Sequence, residues 1–142
     1  MLSIQIASNI VKEVNSVIPL KINIMNKKGI IIASSDPLRI GSFHEGALRI
    51  IENQIDEIIV HYDGEFDGAL QGINYSLKLQ GYIIGVLGIT GRYEEIVKSA
   101  LIIKRMTELV LENTYCIVPT IFSQIVLANY AVLWYTKRNG GE

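Results

Sequence analysis

Apolar residues near the start of the chain recur at helical spacing. Ala7, Val11, Val14 and Ile18 form a stripe that Ile6, Ile10 and Val17 widen. Ser3 stands where an N-cap would, and Pro19 ends the helix. From Leu20 to Met25 the period switches to two, as in a half-buried strand, and Asn26-Lys27-Lys28-Gly29 supplies a turn. Ile30 to Ala33 returns as a β-branched strand, which Asp36-Pro37 breaks. Ile40-Gly41 then leads into a short helix from near Ser42 to about Gln54. Glu57 to Tyr62 predicts a third strand and Asp63 to Gly72 a polar loop. Ile73 to Leu79 and Tyr82 to Thr90 predict two antiparallel strands joined at Gln80-Gly81. A long helix follows from about Tyr93 to Asn113, supported by Glu94/Lys98 and Lys104/Glu108 pairs. From Tyr115 to Thr136 the chain is mostly apolar and uncharged, and Lys137-Arg138 follows.

Hairpin-joined strands with helices grouped at the ends predict an antiparallel α+β domain. The natural packing is one five-stranded antiparallel sheet with a long N-terminal helix, a short helix after strand 2 and a long C-terminal helix. By analogy this is the plan of PAS-like and Cache-like folds, which hold ligands between the sheet and the short helix with its loop.

Composition narrows the function classes. The 142 residues suffice for one domain with a real core, and 49% apolar against 19% charged residues excludes a disordered chain. A net charge of −1 argues against a nucleic-acid surface, which needs clustered Lys and Arg. The single cysteine, Cys116, excludes an internal disulfide and any Cys-based zinc cluster. The first ten residues lack the basic start and apolar run of a secretion signal, so the expected location is the cytoplasm. The stretch 115–136 is long enough to cross a bilayer. Pro119, Ser123, Gln124 and Asn129 favour instead a helix packed against protein, or an end with little structure.

Enzyme signatures are missing. Gly85 to Gly91 is glycine-rich, but its spacing fits neither the dinucleotide fingerprint nor the phosphate loop. His44-Glu45 resembles a zincin start, yet Leu48 occupies the place of the second ligand. Neither a metal nor a cofactor is expected. An anion site is. Ser34, Ser35, Asp36, Arg39, His44 and Glu45 gather at one end of the first hairpin, although a hairpin needs none of them to fold. Arg39 offers a fork of donors suited to a carboxylate. Residues 41–44 are expected to open a helix whose free N–H groups favour negative charge, with His44 adding a donor. Asn74 and Thr90, at strand ends, would recognise hydroxyls. The structural alternatives are a solvated Arg39 and turn-capping roles for Ser34 and Asp36.

The run from Lys21 to Ala47, with Ser34-Ser35-Asp36-Pro37-Leu38-Arg39-Ile40-Gly41-Ser42-Phe43-His44-Glu45-Gly46 at its heart, resembles the sugar diacid recognition domain. That domain is the N-terminal sensor of the carbohydrate diacid regulator family of bacterial transcription factors. Gly72-Ile73-Asn74, the segment 83–91 and Met106-Thr107-Glu108-Leu109 agree, and the resemblance covers residues 3 to 114. It implies a cytoplasmic sensor, usually a homodimer, for compounds such as glucarate, galactarate or glycerate, with DNA bound by a separate C-terminal domain. Ser34, Asp36, Arg39, Gly41, His44, Asn74 and Thr90 occupy motif positions, and their ligand roles follow from their chemistry.

Three departures stand out. Ser76 replaces a proline common in the family, and Arg92-Tyr93 replaces an acidic-proline pair. The apolar run after Asn113 replaces a polar linker helix, as truncation or a changed reading frame would produce. The expected organisation is a sensor domain over 1–113 and an apolar tail over 114–142. The expected function is recognition of a small hydroxylated carboxylate by a non-enzymatic module of carbohydrate metabolism, without direct nucleic-acid binding. The alternatives are a structural or dimerising fragment and a membrane-anchored sensor.

Overall fold

In the computed structural model, residues 1–140 are described, without the side chains of 116–124, 126 and 127. Helix α1 (Ile4–Val17) starts at Ser3, whose hydroxyl accepts from the Ile6 N–H, and buries Ala7, Ile10, Val11 and Val14. Strands β1 (Lys21–Met25) and β2 (Ile31–Ser34) form the first hairpin. Gly29 closes its turn at φ +74°, a region costly for other residues. A single 3₁₀ turn at Pro37–Arg39 follows, then α2 (Glu45–Asn53) and β3 (Glu57–Val60). Strands β4 (Gly72–Leu79) and β5 (Tyr82–Thr90) precede α3 (Tyr93–Glu112). A π-helical segment (Asn113–Ile117) leads from there into α4 (Val118–Asn139).

The strands form one antiparallel sheet in the order β2-β1-β5-β4-β3, so the expected α+β class and sheet are found. Two compact units result, Met1–Glu108 and the part from Leu109 onward. In the first unit, alternation along the strands sorts the side chains onto two faces. Ile22, Ile24, Leu87, Ile89 and Ala33 lie on one, and Ala33 lines a groove together with Val11 and Asn15 of α1. On the other, Met25, Ile31 and Val86 pack with Ala47 and Ile50 of α2.

The second unit contains the last residues of α3, the π-helical segment and α4. Tyr130, Val132, Leu133, Trp134 and Tyr135 are exposed, and the Arg138 guanidinium stacks 5.0 Å from the Trp134 ring centre. Among the described residues, no helix is long and apolar enough to cross a membrane. Much of the stretch 115–136 singled out above, with Cys116, Pro119, Ser123 and Gln124, has side chains outside the described residues.

Candidate functional site

The register places a row of small and polar residues across the middle of the α2 face. Ser34 of β2 pairs with Asn23 of β1, Asn23 with Gly88 of β5, and Gly88 with Asn74 of β4. One step along, Thr90 lies between Lys21 and Gly72. Asn23 is 5% exposed and Asn74 3%. A Cβ on Gly88 would sit 2.7 Å from the Asn74 Oδ1, so glycine there gives the Asn74 amide its room.

Arg39 reaches this row from the 3₁₀ turn. An amide nitrogen cannot face a guanidinium, which orients Asn23 with its Oδ1 accepting from Arg39 Nη1 at 2.9 Å. The Asn23 Nδ2 then donates to the Ile22 carbonyl at 3.2 Å and to Ser34 Oγ at 2.5 Å. A second Arg39 nitrogen, Nη2, donates to the Gly68 carbonyl at 2.7 Å. Burial pushes the Arg39 guanidinium below its ordinary value, opposed by the fields of Asp36 and Asp63. Arginine still carries its charge at any ordinary pH. Both hydrogen-bond acceptors are neutral, and among the described residues no carboxylate lies within ion-pair distance of it.

Two loops lie over the row. Residues 41–44 run beside β2: the Gly41 N–H donates to Ile31 O, the Ile31 N–H to Ser42 O, and Ile30 bridges Phe43. Loop 61–71 braces itself through Gly64 to Ala69 and Gln71 to the Asp63 carboxylate. Glu45 fastens that loop to α2, its Oε2 accepting from the Asp67 N–H at 2.8 Å while Oε1 holds Arg49. Those bonds hold the Glu45 carboxyl below its usual range, the Asp67 N–H most and the Arg49 donor next. The loops touch closely, because a Cβ on Gly68 would fall 2.0 Å from Phe43 O.

Several sequence expectations shift. Helix α2 does not open at residues 41–44; it begins at Glu45 with His44 as N-cap. The His44, Glu45 and Gly41 N–H groups are taken by Gly29 O, Asp67 O and Ile31 O, so this backbone holds few free donors. His44 is 3% exposed, and its Nδ1 accepts from the Ala47 N–H at 3.1 Å. Burial, then the Arg39 charge, pushes its pKa down from 6.5 to about 4, so the ring is neutral at pH 7. Gly41 turns the loop at φ +90°. Asp36 caps the 3₁₀ turn through the Leu38 N–H at 3.1 Å, and its own N–H donates to Ser34 Oγ at 3.0 Å.

The register thus brings Ser34, Asn74 and Thr90 onto one face, with Arg39 tied to it, while His44, Gly41 and Asp36 build the surrounding loops. Ser35 is directed away, bonded to Asn15 and to the Ile22 N–H. Arg92 is exposed and faces Glu95 at 3.8 Å. Sequence reasoning missed Asn23, Gly68 and Gly88. An open groove of about 320 Å³ lies between α1 and the β2 edge, lined by residues including Ser8, Lys12, Asn15, Ile40 and Ser34 itself. Its Asn15 and Ser35 already bond each other, which leaves less recognition chemistry there.

Comparison with known proteins agrees with the motifs. Residues 2–119 match the profile of a family described as "Putative sugar diacid recognition". The carbohydrate diacid regulator of Escherichia coli is 36% identical over 117 residues, covering 80% of this chain and 30% of the relative. An uncharacterised protein of Bacillus subtilis, YsfB, is 28% identical over 130 residues, 91% of this chain and 35% of the relative. An uncharacterised Haemophilus influenzae protein is 34% identical over 109 residues, 75% of this chain and 30% of the relative. The chain spans about a third of the length of these curated relatives. With the profile matched over most of its length, the chain belongs to the sugar diacid recognition family.

Proposed function

We propose that this chain is the ligand-sensing part of a transcriptional regulator and binds a small hydroxylated carboxylate of the sugar diacid or glycerate type. The observation that carries this is Arg39: a half-buried cation, held by two neutral oxygens and without an ion pair among the described residues, beside a face that presents amides and hydroxyls. A ligand carboxylate would complete its charge. Asn74 and Thr90 are the hydroxyl-recognising groups in this reading, and Ser34 the support for Asn23.

Binding would close loop 34–44 more tightly against the sheet and shift a population of closed domains, altering how α1 and α3 pack across a homodimer. A cytoplasmic, non-enzymatic role and DNA contact through a separate part of the regulator belong to the same proposal. So does the likeness to PAS and Cache sensors, which the single sheet with one loop-and-helix layer supports. The regulator relative from Escherichia coli favours it over a structural fragment.

A thermal-shift panel of glucarate, galactarate and glycerate tests it. A ligand at 100 times its Kd raises stability by about 2.7 kcal/mol, several degrees for a domain of this size. No shift with any of these acids at millimolar concentration would refute the sensing role.

A further inference from the structure

The Ser76 hydroxyl is fully buried and has no hydrogen-bond partner among the described residues. It is a surface-type group in an apolar row, opposite Val86 of β5, which in turn pairs with Met25 of β1. An orphaned buried hydroxyl destabilises a domain, so it calls for a physical reason. Its place gives one. Ser76 follows Asn74 by two residues on β4, which puts both on the α2 face about 7 Å apart. Asn74 is 3% exposed, and no hydrogen bond to its amide is found among the described residues. A fully buried, unpartnered hydroxyl and a nearly buried amide thus share one face of β4, on the side of the sheet to which Arg39 is tied through Asn23.

Their chemistry complements that of Arg39. The amide offers both donors and an acceptor, and the hydroxyl offers one donor and two acceptors. Neither carries charge, so neither suits a carboxylate in particular. A polyhydroxylated carbon chain, whose hydroxyls both donate and accept, satisfies both. Of the other cations on this face, Lys21 is exposed beside Thr90 at the opposite end of the sheet from Ser76, and Lys78 is paired with Asp56 at 2.6 Å.

Resting on the function proposed above, we propose that Ser76 is a specificity-determining residue that, with Asn74, forms an uncharged subsite for ligand hydroxyls, so that this sensor separates hydroxylated acids from their deoxy analogues. The partner of this subsite is the carbon chain of the ligand; the carboxylate belongs to Arg39.

The test uses the whole 142-residue chain, wild type and Ser76→Ala, with two matched pairs of acids. Glucarate and adipate share six carbons and two carboxylates and differ by four hydroxyls; glycerate and propionate form the shorter pair. Calorimetry gives the affinities and thermal melting the stability of the free chain. The expected result is a preference of wild type for at least one hydroxylated acid over its partner. In Ser76→Ala that preference falls about fivefold, the worth of one neutral hydrogen bond, with binding of the deoxy acid unchanged. The free variant melts at or above the wild-type temperature, because an orphan is removed.

A merely structural hydroxyl would change melting and leave the preference intact, and that result overturns the proposal. An equal loss for both members of a pair overturns it too, since it would mean a general collapse of the site. Failure of wild type to bind any hydroxylated acid would instead remove the sensing function, and the subsite with it. Ser76→Thr, which keeps the hydroxyl, guards against a packing artefact: binding of the hydroxylated acid lost equally in Ser76→Ala and Ser76→Thr would also count against the proposal.

Discussion

Asn23→Asp exchanges an amide for a carboxylate of the same shape beneath the Arg39 guanidinium. In the native chain the Asn23 oxygen accepts from Arg39 Nη1 at 2.9 Å, a neutral acceptor for a cation. The substitution would turn that bond into an ion pair. At an effective dielectric of 20, opposite charges about 4 Å apart attract by about 4 kcal/mol, so an internal anion would neutralise most of the field a ligand carboxylate would feel. The opposing effect is the loss of two donors, to the Ile22 carbonyl and to Ser34 Oγ. Ser34 can rotate its hydroxyl to donate, but Ile22 O cannot change role.

Fold stability is therefore expected to change by no more than about 1 kcal/mol, the ion pair offsetting the lost bonds. Ligand affinity is expected to fall about 10- to 100-fold, or about 1.4 to 2.8 kcal/mol. Urea unfolding measures the first and calorimetric titration with the best acid of the panel measures the second. Asn23→Ala, which leaves Arg39 without that acceptor, should cost about 1 to 3 kcal/mol of stability. Unchanged affinity in a well-folded Asn23→Asp would refute the placement of the ligand carboxylate on Arg39.

Other expectations follow from the loops that cover the row. His44 is buried neutral with a pKa of about 4 against 6.5 in an unfolded chain, so the unfolded state takes up a proton first as pH falls. Its contribution is complete above about 6.5 and declines towards pH 4, by about 3 kcal/mol at 1.36 kcal/mol per unit. His44→Asn keeps a capping acceptor and should flatten the upper part of that slope in pH-dependent unfolding; an unaltered slope would point to another group. Gly68→Ala places a Cβ 2.0 Å from Phe43 O at φ +72°, and should open the contact between the two loops. A loss of about 2 kcal/mol or more, with faster amide exchange at residues 41–44 and 66–69, is expected. Glu45→Ala frees the Asp67 N–H and Arg49, and should raise exchange in loop 61–71 while melting changes little, as exposed pairs contribute under about 1 kcal/mol.

The first helix, both hairpins and the sheet were legible because local signals and global packing agree there. Ser3 caps, Pro19 stops and Gly29 turns, although β1 and β4 bury both of their faces rather than one. The start of α2 was misread for a physical reason. Ser42 has the chemistry of an N-cap, but its carbonyl and the neighbouring amides are drawn into bridges with β2, and the His44 ring caps instead. Arg39 was legible as a cation that no fold requires. Asn23 was not, since Lys21-Ile22-Asn23-Ile24 reads as polar-out alternation, whereas loops 36–44 and 61–71 cover that face and bury it. Ser35 and Ser34 are adjacent in sequence, yet a strand directs them to opposite faces. Gly68 could be found only from the loop contact it permits.

The most direct measurement is calorimetric titration of glucarate, galactarate and glycerate into the wild-type chain and into Arg39→Gln, which keeps a donor but removes the charge. Saturable binding to the wild type, lost by at least about tenfold in a variant with unchanged unfolding cooperativity, is the expected result. Binding that survives in Arg39→Gln, or no binding to the wild type at all, would contradict an Arg39-centred carboxylate site.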